Sequence, residues 1–256
     1  SSCKRGQITV FIIIGIIILF SFAGIMYFTK TVIKDEITAE GDPIIGDVPQ
    51  QFQAIQAYTD KCLQQIGQRG LLILGDQGGY IYPDLVGEYS VANPTDSDGL
   101  NLEPMKVPYW HYNNLKNLEG EIEYTSLKPE LLADEDPEFS IESQLSRFVE
   151  EKIDTCLNEF APFSNQGFEV DYSAEQHKEV LVTVGENSVN FWLKTEFTAQ
   201  KGTAESEFNE FYVKLPVKLK QIYQTASEIA AVQFEHNFLE RQALDLISAY
   251  SGTSVD

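Results

Sequence analysis

Apolar and polar positions fall into three regimes along the chain. From Ile8 to Phe28 there are 21 residues without a charge, apolar on every side. As a helix at 1.5 Å per residue they span roughly 32 Å, against a hydrocarbon core of about 30 Å. Only a helix satisfies such a backbone in lipid. Residues 1–34 therefore read as a short cytoplasmic stub and a transmembrane anchor. The run is longer than a cleaved signal's apolar core, and no small-residue cleavage site follows it. Residues 35–50, with Gly41, Pro43, Gly46 and Pro49, read as a linker.

Beyond Gln51 the periods alternate between those of helix and strand. Phe52, Ile55, Thr59, Cys62, Leu63 and Ile66 recur at helical spacing, weakened by Gly67 and Gly70. Asp76 to Gly79 marks a turn, and Tyr80 to Tyr82 reads as a short strand before Pro83. Asp84 to Pro137 has no strong period and is expected to be an irregular excursion. Ser140 is the expected N-cap of a helix. Its apolar face is Leu145, Phe148, Val149, Ile153, Cys156, Leu157 and Phe160, and Pro162 ends it.

Strand periods follow at 168–172, 180–184, 189–197 and 208–215, with a hairpin signal at Gly185-Glu186-Asn187 and a turn at Gly202. From Val217 the helical period returns and runs through Leu219, Ile222, Ile229, Phe234, Phe238, Leu244 and Ile247 to Gly252. The expected class is α+β, with a small antiparallel sheet and amphipathic helices, the sheet flanked by the long C-terminal helix. This domain occupies residues 51–256. A short echo links Asp60-Lys61-Cys62-Leu63 with Asp154-Thr155-Cys156-Leu157.

Charge changes the picture. All 39 acidic residues lie at or beyond Asp35, and four of the 18 basic ones lie before it. Past the anchor, 14 basic residues face 39 acidic ones. Such a surface disfavours nucleic acid as a partner. Lys4 and Arg5 before the span are matched by Lys30 and Lys34 after it. The acidic domain and the cysteines place the C-terminal side outside the cytoplasm.

Lys4-Arg5-Gly6-Gln7, followed at once by the apolar run, resembles the class III signal of archaeal type IV pilins and archaellins. The resemblance implies a cut between Gly6 and Gln7 and a helix that packs into a filament core. Phe11 stands where many type IV pilins carry a glutamate that archaeal members often lack. The chain also resembles membrane-anchored surface proteins of small-genome archaea. The shared features are this N-terminus, a Cys-Leu helix, the Gln77-Gly78-Gly79-Tyr80-Ile81 segment and the Leu215-Pro216-Val217-Lys218-Leu219 junction. No activity comes with that likeness.

Cys62 and Cys156 each lie on an amphipathic helix. In an oxidising compartment a disulfide between them is expected, and in a reducing one two buried thiols. Cys3 lies before the anchor and has no partner across it. Asp96, Asp98, Asn101 and Glu103 place oxygens at alternate positions beside Gly99, the pattern of a calcium loop. The EF-hand register fails, because its first and twelfth positions fall on Pro94 and Met105. Calcium is the one cofactor the sequence offers. Tyr109, Trp110 and His111 are candidate binding residues, with aromatic packing as the plainer reading. His236 and Glu240, four apart on the last helix, read as a solvated face more readily than as metal ligands. No phosphate loop, dinucleotide fingerprint, nucleophile elbow or zinc motif occurs.

Sequence alone thus leads to a cell-surface structural protein that is not an enzyme, held in the membrane by one span. Its expected partners are the lipid bilayer and copies of itself or other surface proteins. The alternative is a membrane-tethered extracytoplasmic binding module.

Overall fold

The computed structural model describes residues 48–93, 97–113 and 124–251, all within the unit Ile45–Asp256. Ile8–Phe28, most of the linker, Gly6, Gln7 and Asp96 lie outside the described residues. Among those described, no helix is long and apolar enough to cross a membrane. The class is α+β with a small antiparallel sheet, as expected.

The first helix, α1 (Gln53–Asp76), follows a short 3-10 turn and buries Ile55, Thr59, Cys62, Leu63, Ile66 and Leu74. Its glycines permit close approach. A Cβ on Gly67 would lie 3.0 Å from the Phe191 ring, and one on Gly70 3.0 Å from Phe148. The helix ends in a left-handed cap: Gly78 has φ +64°, and the Gly79 N–H reaches back to Leu74 O at 2.8 Å.

Two hairpins follow, where an irregular excursion is expected. β1 (Gly99–Leu102) pairs with β2 (Met105–Pro108), and β3 (Tyr112–Asn113) with β4 (Tyr124–Thr125). These strands have four residues or fewer, too short for a period to stand out. Tyr80–Tyr82 is not a strand. Instead of a ladder, Ile81 N–H is satisfied by the side-chain amide of Gln144.

Ser140 caps α2 (Ile141–Leu157) as expected, its hydroxyl accepting the Ser143 N–H at 3.2 Å. The helix stops at Leu157 rather than at Pro162. Asn158, Glu159 and Phe160 are all left-handed, with φ from 46° to 53°. Each such non-glycine residue costs about 1 kcal/mol or more. The turn swings Phe160 into full burial against Phe197, with ring centroids 4.9 Å apart. A single turn, α3 (Ala161–Ser164), leads to the sheet.

The sheet is built on β7 (Val189–Lys201). β8 (Ala204–Leu215) pairs along its whole length through a tight turn at Gly202. β6 (Lys178–Val184) and β5 (Glu169–Asp171) pair with successive parts of β7, so they share its other edge. A bulge lies between Lys194 and Phe197. It breaks the expected alternation on β8, so that Phe208 and Phe211, three apart, both face the core.

One sheet face carries Val180, Val182, Phe191, Leu193, Phe197, Phe211 and Leu215 into the core. Helices α1 and α2 cover it. This corrects the expectation that the C-terminal helix flanks the sheet. That segment is two helices, α4 (Leu219–His236) and α5 (Phe238–Ser251), separated by left-handed Asn237. Only Leu219 of the pair is buried. The break also takes His236 and Glu240 off a single helix, and Glu240 instead accepts from Gln233 Nε2 at 2.6 Å.

The Asp-x-Cys-Leu echo marks a difference. Asp154 accepts from the Tyr172 hydroxyl and from Lys178 Nζ, the latter at 2.8 Å. Asp60 Oδ1 is buried with no hydrogen-bond partner among the described residues, and burial raises the Asp60 pKa from 3.8 to about 6. The folded state therefore binds a proton that the unfolded chain has already released. Stability is highest below the unfolded value and falls as pH rises from 3.8 to about 6. Allowing for partial solvation, Asp60→Asn should recover on the order of 1 kcal/mol at pH 7 and flatten this part of the profile. Urea unfolding between pH 4 and 7 checks it; parallel profiles for the two proteins would refute the assignment.

Candidate functional site

The helix α4 is apolar on two sides. At 100° per residue, Tyr223, Ser227, Ala230, Ala231 and Phe234 share one side. Ile222, Ala226, Ile229 and Val232 share the other. The first side is occupied. Trp110 lies against Tyr223 with centroids 6.0 Å apart, and Tyr223 donates its hydroxyl to Pro129 O at 2.9 Å. His111 meets Phe234 edge-on at 3.9 Å and stacks on Tyr124 at 5.6 Å. Lys128 Nζ sits 5.3 Å over the Tyr223 ring.

These contacts place the predicted binding residues. Trp110 is tethered, its indole N–H donating to Gly78 O at 2.8 Å. Tyr109 packs on Tyr112 at 5.8 Å. His111 is exposed at the rim, in a three-ring cluster with Tyr124 and Phe234. Between them runs an open groove of about 240 Å³ lined by Trp110, His111, Lys128, Ser227 and Phe234. The Ser227 hydroxyl oxygen is buried there without a partner among the described residues. The rings of the excursion thus act first as the seat of α4.

The Gln77–Ile81 segment ties this seat to the core. Gln77 donates to Tyr80 O and accepts the Lys106 N–H. Tyr80 donates to Leu127 O, and desolvation raises its pKa to about 12. A Cβ on Gly79 would stand 2.7 Å from Pro129 Cγ, at φ +97°. The position thus accepts only glycine comfortably.

The calcium pattern is spread over β1 and its approach. Asp98 accepts the Tyr112 hydroxyl at 2.7 Å on one oxygen and the Glu88 N–H at 2.9 Å on the other. Burial and the Asp98 bond hold the Tyr112 hydroxyl well above its usual pKa. Asn101 Oδ1 accepts the Glu103 N–H, closing a local turn. The Asp98 and Asn101 side chains are thus engaged in local backbone and tyrosine bonds, and no group of three or more metal-ligating side chains gathers among the described residues.

Cys62 and Cys156 are joined as a disulfide between α1 and α2. The solvent face of the sheet carries two open acidic depressions, of about 350 and 470 Å³, around Glu196 and Asn209. Lys194 there pairs with Glu179 at 3.0 Å and lies 4.6 Å over Trp192.

What the sequence did not reveal is the open second side of α4 and the whole of α5. Ile229 is 65% exposed, Leu239 64% and Tyr250 87%. The helical period was visible, but a period shows that a face is apolar and not whether anything in the chain covers it. The chain matches no family model, no curated protein and no solved structure.

Proposed function

We propose that this chain is a membrane-anchored structural subunit of an archaeal cell surface, assembling through its extracytoplasmic domain. The observation that carries the reading is the apolar surface running along α4 and α5, which no described part of the chain covers. A patch of this extent is a feature of association surfaces rather than of monomers. Three further features agree with it. Ile8–Phe28 has the length and apolarity of a single span. A disulfide between core helices suits an oxidising compartment. Lys4-Arg5-Gly6-Gln7 has the form of a class III processing site. The bilayer and other surface subunits are the partners in this reading, and no catalysis is part of it.

The intact mass of the native protein, together with labelling of native surface material, tests the proposal. A mass beginning at Gln7 and label on filaments are the expected results. A chain that keeps Ser1 to Gly6 is a permanent anchor, and the reading narrows to an envelope component. Absence of the protein from any filament or array ends the assembly reading.

A further inference from the structure

The groove beside His111, the acidic depressions on the sheet and the α4–α5 surface are three places in the described structure where something else could bind. The groove lies against a helix that its own walls already seat. The depressions are open clusters of solvated carboxylates. The α4–α5 surface carries the argument furthest.

We propose that the open side of α4 and the apolar surface of α5 bind a second copy of this chain through a two-fold helix-to-helix interface. This rests on the assembly reading above and names the partner of that surface.

Area is the first argument. Ile222, Ile229, Val232, Leu239, Leu246, Ile247 and Tyr250 are each between 49% and 87% exposed. Together they present on the order of 900 Å² of largely apolar surface, against about 800 Å² per partner in a standard stable interface. The second argument is spacing. Leu239, Ala243, Leu246 and Tyr250 recur at intervals of four, three and four, the seam of two packed helices. Ile222, Ala226 and Ile229 continue the same interval on α4. A two-fold axis would bring each seam onto its own copy, which needs no second complementary surface.

Charge is the third. The chain carries a net −21, and most of its surface repels a copy of itself. Residues 219–251 hold Lys220 and Arg241 against Glu228, Glu235, Glu240 and Asp245, a net of only −2, so two copies of this segment repel each other weakly. The same composition argues against a lipid surface as occupant. Helices that lie on anionic bilayers carry an excess of lysine and arginine on their polar face, and here acids outnumber bases.

Cysteine cross-linking of the full-length chain in detergent, with Cys3→Ser throughout, tests this. Leu246→Cys should give a covalent dimer on mild oxidation, while Leu72→Cys, more exposed on α1 but outside the patch, should stay monomeric. Adding Leu239→Asp to Leu246→Cys should cut the cross-linked fraction at least tenfold. Circular dichroism and an intact Cys62–Cys156 bond establish that each variant is folded. Equal cross-linking at Leu72 and Leu246, or indifference to Leu239→Asp, overturns the proposal. If Leu246→Cys stays monomeric while the chain still sediments as an oligomer, the interface lies elsewhere; the inference fails and the assembly reading stands. In liposomes, quenching of a fluorophore at Leu246 by a lipid-borne quencher would give the surface to the bilayer and also overturn it.

Discussion

Replacing Cys62 and Cys156 together by alanine should lower the free energy of unfolding by roughly 3–5 kcal/mol. The bond spans 94 residues and joins α1 to α2, the two helices that roof the sheet. Chain-entropy models give about 4.7 kcal/mol for a loop of that order, before any native-state adjustment. Opening the bond leaves α1 and α2 packed on each other, but frees the unfolded chain to explore far more conformations. Domains of this size are stable by about 5–15 kcal/mol, so the loss is a large fraction of the total. Cys62 is buried, and alanine there also leaves a small void that adds to the cost. Urea titration of the oxidised protein, the reduced protein and the double variant checks the prediction. Coincident midpoints for the oxidised and reduced forms would refute it. An effect this large also ties folding to an oxidising compartment, which the proposed surface location supplies.

Gln144→Leu should cost about 3–5 kcal/mol despite conserving volume. Gln144 is 1% exposed and lies in the first turns of α2. Its carbonyl oxygen accepts the Ile81 N–H at 2.8 Å, and its amide nitrogen donates to Phe139 O at 2.7 Å and Gly79 O at 3.3 Å. Leucine would take this partner from the buried Ile81 N–H and Gly79 O and the half-buried Phe139 O, at about 1–3 kcal/mol each, offset in part by its greater apolar transfer energy. The consequence reaches the candidate surface. Gln144 holds the Gly79–Ile81 segment, Gly78 O holds the Trp110 indole, and Trp110 seats α4 through Tyr223. Loss of the amide should therefore red-shift the tryptophan emission as Trp110 gains water, below the denaturant concentration that unfolds the sheet. A variant with unchanged midpoint and emission would show that the segment is held by other contacts.

Glu142, two residues earlier, does the same work for two more strands of chain. Its carboxylate accepts the Ala133 N–H at 2.9 Å and the Val184 N–H at 2.7 Å. Neighbouring polar side chains at the start of α2 thus gather the end of the excursion, the α1 cap and the end of β6. Neither is distinguishable in sequence from a solvated residue in a helix first turn. Their partners lie 5 to 65 residues away, and no local pattern records the longer distances.

The amino-acid sequence by itself determined the local elements. The apolar faces of α1 and α2, the Ser140 cap, the Gly78 turn and the strands from β5 to β8 follow from side-chain period and backbone preference, which act over a few residues. It also placed each of the two cysteines on an amphipathic helix, and only the tertiary structure brought those helices together and joined them. Tertiary structure decided the rest. It made the left-handed turn at Asn158–Phe160, because burial of Phe160 outweighs three unfavourable backbone angles. It broke the period of β8 with a bulge so that both phenylalanines reach the core. It turned the excursion into a seat for α4 and engaged Asp98 with Tyr112 and Glu88. It also placed α1 and α2, not the C-terminal helix, on the sheet. The physical reason is common to all of these. Periodicity shows that a face is apolar, but which surface covers it depends on the competition among all the apolar faces in the fold, and among the described residues the second side of α4 and the apolar surface of α5 are left uncovered.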